Sequence, residues 1–406
     1  MGTTRSRTPR ILVTGASIAG PALAYWLRRY GWQVSLVERA PSLRTGGQNV
    51  DVRGAGREVL RRMGLEDAVR AAGTGEVGTR FIGEGGAVKA EFPAGHDDTD
   101  GATAELEILR GDLAQLLYDA SAAQTEYLFG DTIAALRDDG QKVAVTFESG
   151  RERDFDLVVA ADGLRSSTRD LILGNAPEIR PVGLTMLFLT IPRRAHDVDW
   201  WQWYNAPGGR SVNLRPDNVG TIRALLSFTS KSPPGARLSR EEQRRLFRRT
   251  FQDVGWEAPR LLDELDRADD WYFDVIAQVR SPRWSQGRAA VVGDAAYCAS
   301  PVSGMGTSLA LVGAYVLAGE LASHVDHRDA FRAYERIMRP YVGQAQKLPP
   351  GTPGIANPQT RAGIGALHAV LGVMASRPLR AVGSKLFSPP ADKIELEDYR
   401  HLERLG

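Results

Sequence analysis

Apolar residues follow two different spacings at the start of the chain. Residues 11–13 form a continuous apolar run, and residues 21–30 carry apolar side chains at helical spacing before Gly31. We predict a short buried strand over 10–14 and a helix over 21–30 that ends at the glycine. A second strand is predicted over 33–38. A strand, turn, helix and strand within about 30 residues is the size of a right-handed parallel crossover.

Similar runs extend this pattern along the chain. Helical spacing predicts helices over 57–63, 110–123 and 306–323, and apolar runs predict strands over 125–129, 133–138, 143–147, 154–161 and 289–292. The fully apolar run 157–161 is typical of a strand buried in a parallel sheet. The sequence therefore predicts the α/β fold class.

The pattern changes after residue 181, where aromatic-rich and alternating segments begin. Residues 184–191, 200–204, 221–228 and 275–279 predict strands, and the arginine-rich stretch 239–266 predicts helix. We predict a mainly antiparallel β-sheet domain over 181–280, inserted into a discontinuous domain made of 1–180 and 281–345. Parts of 74–108 are candidates for the side of the inserted domain. Residues 346–406 are predicted to be a linker and a C-terminal helix.

Composition narrows the classes of protein. The 406 residues are 43% hydrophobic and 25% charged, which excludes a largely disordered chain. The net charge of +2 gives no electrostatic argument for nucleic acid. The single cysteine, Cys298, excludes an internal disulfide and a cysteine-rich metal site. We see no targeting segment and no membrane span, so we expect a cytoplasmic protein.

The first motif is the glycine-containing turn over 15–20, between the first predicted strand and helix. Gly15 permits a tight turn, Gly20 lets the helix approach the sheet, and the exposed N–H groups suit a pyrophosphate. Glu38 ends the second strand, where a carboxylate accepts hydrogen bonds from ribose hydroxyls. An ordinary turn is the alternative, but the whole unit favours dinucleotide binding.

Two more motifs follow buried strands. Asp162 and Gly163 come after the run 157–161, and Gly293 and Asp294 come after 289–292. A lone Asp-Gly after a strand is usually just a turn. The second of these motifs continues through Gly304 and Gly306 into an apolar helix, whose positive N-terminal end suits an anionic ring.

These three motifs, in this order, resemble the FAD-dependent aromatic hydroxylases typified by p-hydroxybenzoate hydroxylase, which include the tetracycline-inactivating monooxygenases. The resemblance runs from Ile11 to about Gly343. It implies a three-layer FAD-binding domain of the GR2, Rossmann-like type. It also implies cofactor contacts at Gly15, Ser17, Ile18, Ala19, Gly20, Glu38, Arg39, Arg110, Asp162, Gly293, Asp294, Gly304, Gly306 and Thr307.

The resemblance implies a monooxygenase. FAD is reduced by NADPH or NADH, reacts with O₂, and passes one oxygen to an aromatic or enolic substrate through a flavin C4a-hydroperoxide. The chemistry is carried by the flavin, so we expect no catalytic side chain and no metal. The alternatives are another flavin oxidase or reductase, and a non-catalytic binding protein with the same fold.

Aromatic residues in the inserted sheet suggest a large, flat, polycyclic substrate, for example a polyketide. Because strand residues alternate between faces, Trp201 and Trp203 share one face, which we expect to line the pocket. Asn213 and Arg223 are candidates for polar substrate contacts, and Pro301 for one wall. The sequence leaves the oligomeric state open.

Some positions depart from the pattern of the family. Ser17 replaces a glycine, Tyr297 stands where histidine is common, and Ser308 and Gly313 stand where asparagine and aspartate are common. Tyr297 and Ser308 are expected near the flavin.

Other features have simpler explanations. The segment 201–207 resembles the tryptophan motif of flavin halogenases, but its spacing is one residue too long. His324 and His327, the acidic loop 97–100 and the arginines of 244–249 are expected to be solvated groups rather than metal or nucleic-acid sites. Cys298 is expected to be buried and inert.

Overall fold

A computed structural model describes residues 8–44, 46–94, 106–235, 238–268, 271–348, 351–376 and 394–404. The strands are β1 (Arg10–Thr14), β2 (Gln33–Glu38), β3 (Asn49–Val52), β4 (Gly78–Ile82), β5 (Val88–Pro93), β6 (Leu106–Leu109), β7 (Thr125–Phe129), β8 (Ile133–Asp138), β9 (Val143–Phe147), β10 (Glu152–Phe155), β11 (Leu157–Ala160), β12 (Glu178–Pro192), β13 (Trp201–Ala206), β14 (Arg210–Pro216), β15 (Thr221–Thr229), β16 (Tyr272–Arg280), β17 (Ser285–Gln286) and β18 (Ala289–Val291). The helices are α1 (Ala19–Arg29), α2 (Ala55–Met63), α3 (Glu66–Ala71), α4 (Arg110–Ala122), α5 (Ser167–Leu173), α6 (Arg240–Phe251), α7 (Ala258–Arg267), α8 (Asp294–Tyr297), α9 (Gly306–Ser323), α10 (His327–Ala345) and α11 (Arg361–Met374).

A six-stranded sheet forms the centre of the larger half, in the order β17-β18-β11-β1-β2-β7. All neighbours are parallel except β17 and β18. Helix α1 packs against α4 and α9, and the three-stranded sheet β10-β9-β8 contributes buried residues to the same hydrophobic core. This arrangement of helices, parallel sheet and smaller sheet confirms the predicted three-layer α/β class.

The predicted strand over 154–161 is wrong, because the chain forms two strands there. Asp156 separates β10 from β11, and its carboxylate accepts a hydrogen bond of 2.7 Å from the backbone N–H of Arg10. The carbonyl of Arg10 accepts one of 2.8 Å from the backbone N–H of Asp156. These bonds direct β10 into the three-stranded sheet and β11 into the central one.

The second large sheet has seven strands in the order β16-β12-β15-β14-β13-β4-β5. Neighbours are antiparallel except β13 and β4, which are parallel. Strands β4 and β5 lie outside 181–280 in sequence. Helices α6 and α7 cover one face, where Phe247, Phe251 and Leu261 pack against Val212 and Leu226.

Helix α9 is long and apolar enough to cross a membrane, but 78% of it is buried inside the protein.

Segments near the end of the chain pack on both halves of the protein. Tyr399, near the end of the chain, donates a hydrogen bond of 2.6 Å to Glu320 in α9, and Glu403 pairs with Arg29 in α1. Helix α11 packs on β5 at the edge of the seven-stranded sheet.

Candidate functional site

The turn after β1 is built from two glycines that admit no side chain. Gly15 has φ +90°, and a Cβ atom there would lie 2.6 Å from the carbonyl oxygen of Ala161. A Cβ atom at Gly20 would lie far inside 3.0 Å from the carbonyl oxygen of Gly15. The first turn of α1 therefore sits directly against the turn, and its N–H groups face the carboxyl edge of the parallel sheet.

Glu38 ends β2 beside the same turn. Its carboxylate accepts hydrogen bonds of 2.9 Å from the backbone N–H groups of Ala16 and Ala40. These bonds hold the carboxylate at the rim of the turn. An ionised carboxylate has about four acceptor positions, so capacity remains for ribose hydroxyls.

Arg110 begins α4 on the other side of the turn. Its guanidinium donates to the hydroxyl of Ser17 at 3.3 Å, and no carboxylate within the described part of the chain lies at ion-pair distance. Burial lowers the pKa of this arginine. A buried guanidinium without a carboxylate partner fits an anionic group, because burying an unpaired charge is otherwise unfavourable.

Asp294 follows β18 and faces the same cleft. It is accessible to water, yet the surrounding protein desolvates the carboxyl enough to raise its pKa, against the pull of Cys298 and Arg110. Gly293 just before it has φ +65°. A polar group that water reaches inside a walled cleft fits a site for the hydroxyls of a bound cofactor.

The loop from 300 to 306 leads from this aspartate to α9. Ser300 has φ +75°, and its hydroxyl is buried with no hydrogen-bond partner within the described chain. Pro301 is exposed, Gly304 is left-handed with φ +63°, and Gly306 begins the helix, with Thr307 in its first turn. The unpaired hydroxyl and the strained backbone are typical of a loop shaped for a ligand.

Asp162 makes a local contact network. Its carboxylate accepts a hydrogen bond from the hydroxyl of Ser166, which accepts one of 2.8 Å from the backbone N–H of Arg169 and so caps α5. Arg169 is buried and donates to the carbonyl of Leu164 at 2.8 Å. Asp162 therefore shapes the loop, and its contact with cofactor stays a prediction.

The remaining predicted cofactor residues differ in accessibility. Ile18 and Ala19 are buried at the start of α1, and Arg39 is exposed just after β2. Ile18 and Ala19 belong to the turn over 15–20, and Arg39 directly follows Glu38, so all three lie beside the turn.

Two departures from the family pattern compensate each other. Tyr297 is buried, and its hydroxyl accepts a hydrogen bond of 3.1 Å from Tyr334. That hydroxyl occupies the space that a Cβ atom at Gly313 would need. Tyr297 is therefore a core residue whose ring packs against Trp284 and whose hydroxyl contacts Tyr334, and its position near the flavin stays a prediction.

Ser308 also has a structural role. Its hydroxyl donates to the carbonyl of Arg53 at 3.1 Å and accepts from the N–H of Arg53 at 3.2 Å. It is fully buried, and its position near the flavin stays a prediction. The bonds instead join α9 to the chain after β3.

Trp201 and Trp203 lie on the face of the seven-stranded sheet opposite α6 and α7, because their neighbour Tyr204 packs with those helices. The two indole rings are stacked with centroids 5.4 Å apart, and Phe81 of β4 stacks on Trp203 at 5.8 Å. The indole N–H of Trp203 is buried without a partner in the described chain. We call this face of the sheet the inner face.

A row of side chains continues across the inner face. The cross-strand register pairs Phe81 with Trp203, Trp203 with Asn213, Asn213 with Leu225, Leu225 with Phe188, and Phe188 with Tyr272. Tyr272 is 56% exposed. We call these six residues the aromatic wall. Sequence reasoning missed Phe81, Leu225, Phe188 and Tyr272, because alternation gives the faces of one strand but not the register between strands.

The inner face meets the cofactor-binding half at two places. Arg165, which follows the Asp162 turn, donates a hydrogen bond of 2.7 Å to Asp274 of β16. Asp274 also accepts one of 3.2 Å from the hydroxyl of Tyr272, at one end of the wall. On β14, in the middle of the sheet, Arg215 forms an ion pair with Glu107 of β6. Polar links to the parallel-sheet half therefore lie at the Tyr272 end of the wall and beside its middle strand.

Two predicted substrate residues are already paired inside the protein. Asn213 accepts a hydrogen bond of 2.8 Å from the indole N–H of Trp201 and is almost fully buried. Arg223 pairs with Asp217 at 3.0 Å and donates to the hydroxyl of Thr190 at 2.7 Å. Both side chains lie on the inner face, but their hydrogen bonds support the sheet. Their substrate contacts stay a prediction.

The other sequence candidates fall outside this site. His324 lies 3.3 Å from Glu320, and within the described ranges we find no group of three metal-ligating side chains. Cys298 is buried, as expected, and burial raises the pKa of its thiol well above the usual range. Arg245 is largely exposed, whereas Arg244 lies over the ring of Trp271. The acidic loop 97–100 lies outside the described residues.

Known proteins share both the sequence and the fold. An uncharacterized protein of Mycobacterium tuberculosis is 40% identical over 344 residues, which cover 83% of this chain and 92% of that protein. The FAD-dependent monooxygenase asL6 of Sarocladium schorii is 34% identical, covering 98% of this chain and 99% of its own. The crystal structure of tetracycline destructase Tet(51) is 31% identical, with a TM-score of 0.80 over 97% of this chain and 100% of that one.

The fold, the glycine turn and the facing inserted sheet define a flavin-dependent monooxygenase. More particularly, the chain belongs to the family described as FAD binding domain, which matches residues 8–347. The predicted family resemblance, the enzyme class and the FAD cofactor are thereby confirmed. The unpaired Arg110, the glycine turn and Asp294 are the residues that fit FAD.

Proposed function

We propose that the enzyme uses NADPH or NADH and O₂ to hydroxylate a fused-ring aromatic or enolic small molecule that lies on the aromatic wall. The observation that carries this proposal is the buried, unpaired indole N–H of Trp203 within a stack of three rings. Stacked rings give a flat apolar surface, and an unpaired donor suits an oxygen atom of a ligand.

The chemical class of the substrate follows from the wall. Its aromatic residues provide area for a flat ring system, and the unpaired donor favours a ligand with a phenol, enol or carbonyl oxygen. The similar structure is that of a protein named for acting on tetracycline, which makes tetracycline a suitable first probe.

The side chains and backbone of the protein bind the cofactor and orient it. Arg110 and the N–H groups of the turn at Gly15 suit the pyrophosphate, Glu38 suits a ribose, and Asp294 suits hydroxyls of the cofactor. When bound, FAD supplies the redox chemistry and the activation of O₂.

The inner face completes the site. The wall of the inserted sheet covers the substrate from one side, and Pro301 borders it from the cofactor-binding half. Helix α11 packs over Phe81 with Leu367 and Leu371, so the end of the wall is closed by apolar side chains. Such closure excludes water from the reacting centre.

The test compares two neighbouring tryptophans. Trp203→Ala removes the unpaired donor and part of the stack, whereas Trp200→Ala removes a ring that lies under Arg80 at 4.1 Å, on the opposite face. In FAD-loaded protein, we expect Trp203→Ala to lower substrate-stimulated NAD(P)H oxidation or divert it to hydrogen peroxide, and Trp200→Ala to leave both unchanged. Incorporation of one ¹⁸O atom from ¹⁸O₂ into product identifies the monooxygenase reaction. Equal coupling and KM in wild type and Trp203→Ala would contradict the proposed wall.

A further inference from the structure

Two buried asparagine residues lie beside the aromatic wall, each with a side-chain oxygen that has no partner. Asn205 follows Trp203 by two residues on β13, so its side chain also projects from the inner face. Asn357 lies in the segment that precedes α11. Each residue is 3% exposed, and the Oδ1 atoms of both are buried without a hydrogen-bond partner in the described chain. We call these two residues the asparagine pair.

The segment before α11 is fixed against the seven-stranded sheet next to Asn205. The side-chain nitrogen of Asn205 donates a hydrogen bond of 2.8 Å to the carbonyl of Ala356, the residue directly before Asn357. Further along the segment, the side-chain nitrogen of Gln359 donates to the hydroxyl of Thr229 on β15 at 2.7 Å. The asparagine pair is therefore brought together where this segment contacts β13.

The hydrogen bonds of the pair fix which side-chain atom is the oxygen. Asn205 presents its nitrogen to the carbonyl of Ala356, and Asn357 presents its nitrogen to the carbonyl of Pro353 at 3.3 Å. A carbonyl oxygen accepts hydrogen bonds and cannot donate them, so the other atom of each amide is the oxygen. The two unpartnered atoms of the pair are therefore both acceptors.

The strands on either side of β13 do not supply the missing donor to Asn205. Its cross-strand partner on β14 is Ser211. The hydroxyl of Ser211 is paired with that of Ser227 at 2.7 Å and accepts a hydrogen bond of 3.3 Å from Asn213. On the other side, β4 is followed by Gly83, which has no side chain. Burying an acceptor without a donor is unfavourable, so the pair fits a ligand that brings donors.

Trp203 adds a donor to these two acceptors. Its indole N–H is buried without a partner in the described chain, and it precedes Asn205 by two residues on the same face of β13. Alternate residues of a strand are about 7 Å apart. That separation has room for two hydrogen bonds of about 2.9 Å with one short amide group between them. One donor and two acceptors are the complement of a primary carboxamide, which has an acceptor oxygen and two N–H donors.

We propose that the asparagine pair and Trp203 bind a primary carboxamide carried by the ring system of the substrate. The carboxamide oxygen accepts a hydrogen bond from the indole N–H of Trp203, and its two N–H groups donate to the Oδ1 atoms of Asn205 and Asn357. The attached rings extend along the aromatic wall toward Tyr272. The inference rests on the proposed substrate site, and it adds the polar group by which that site selects its substrate.

The experiment uses FAD-loaded protein and two probes of matched shape. 2-Naphthamide carries the carboxamide, whereas 2-acetylnaphthalene keeps the carbonyl oxygen and has a methyl group in place of the amide nitrogen. Both affinities are measured by isothermal titration calorimetry. Wild type is expected to bind 2-naphthamide about tenfold more tightly, because the ketone leaves two buried acceptors without donors.

Three variants separate recognition of the carboxamide from support of the fold. Asn205→Leu and Asn357→Leu each replace one acceptor with an apolar group of similar volume, so each should lose most of the preference for 2-naphthamide and keep the affinity for 2-acetylnaphthalene. Thr229→Val is the matched control, because it removes the hydrogen bond from Gln359 to the sheet and leaves both asparagine oxygens in place. It should keep the wild-type preference.

The outcomes separate this inference from the proposed substrate site. Equal affinity of wild type for the two probes overturns the inference alone, because buried water then satisfies the oxygens. An unchanged preference in both leucine variants, or an equal loss of affinity for both probes, overturns it as well. If the leucine variants fail to fold, the comparison of the two probes in wild type still decides. If wild type binds neither probe, or Trp203→Ala binds both as wild type does, the proposed site is overturned and the inference with it.

Discussion

The contact between α1 and the glycine turn makes a sharp prediction for Gly20→Ala. The new Cβ atom would lie 3.2 Å from the carbonyl carbon of Gly15, 3.3 Å from Cδ1 of Leu36, and far inside 3.0 Å from the carbonyl oxygen of Gly15. Real Cβ atoms essentially never approach that closely. Either the turn or the first turn of α1 must therefore move.

The expected loss of FAD affinity in Gly20→Ala follows from where the new Cβ atom clashes. Forcing an extra carbon into well-packed surroundings costs about 1–3 kcal/mol. Because the displaced atoms are those that cradle the pyrophosphate, we expect the loss to appear in FAD binding. The affinity for FAD should fall roughly 5- to 150-fold, since about 1.4 kcal/mol corresponds to a factor of ten.

A second glycine provides the control. Gly343 lies in α10, and a Cβ atom there would meet nothing within 4 Å. Both substitutions gain about 0.8–1 kcal/mol of helix propensity, so they differ mainly in the clash. FAD affinity is measured by titrating apoprotein and following flavin fluorescence, and stability by thermal unfolding. Wild-type FAD affinity in Gly20→Ala, with the same added stability as in Gly343→Ala, would refute this reasoning.

Three further predictions concern charged groups. Asp294→Ala should weaken FAD binding by about 1.5–3 kcal/mol, because a charged acceptor is lost, and the dissociation constant checks this. Arg110→Met should lower FAD affinity at unchanged thermal stability, whereas Arg245→Met, at an exposed position, should change neither; equal FAD affinity in both variants would contradict the role of Arg110. Glu107 binds its proton more tightly in the folded protein than in the unfolded chain, so the free energy of unfolding should decrease by up to about 1.4 kcal/mol per pH unit between about 4.5 and 8. Glu107→Gln should remove this part of the slope in denaturant titrations.

Local patterns predicted the central sheet well. Strands β1 and β2 and helix α9 have the predicted bounds, because continuous apolar runs and clear helix starts leave little choice locally. Asn213 was expected on a strand, but the bounds of β14 could not be predicted, because its seven residues include two arginines, an asparagine and a proline. It forms through pairing with β13 and β15, which no local pattern reports.

Some residues of the candidate site could be predicted from local sequence and others could not. The glycine turn and Asp294 could be predicted because each motif consists of consecutive residues directly after a predicted strand. The partners of Arg215 could not, since Glu107 lies 108 residues away and meets it only through the packing of two sheets. Tyr297 shows a related limit, because the space at Gly313 that its hydroxyl fills is created by a different helix.

Strands β4 and β5 have a consequence for how the protein can be cut or recombined. The inserted segment pairs through β13 with β4, which precedes it by more than one hundred residues in the chain. A fragment of residues 181–280 would keep the pairing of β13 with β14 but leave its other edge unpaired, and a bare edge of this kind promotes aggregation. Exchange of substrate specificity between relatives should therefore transplant residues 77–94 together with the inserted segment, because both contribute strands to one sheet.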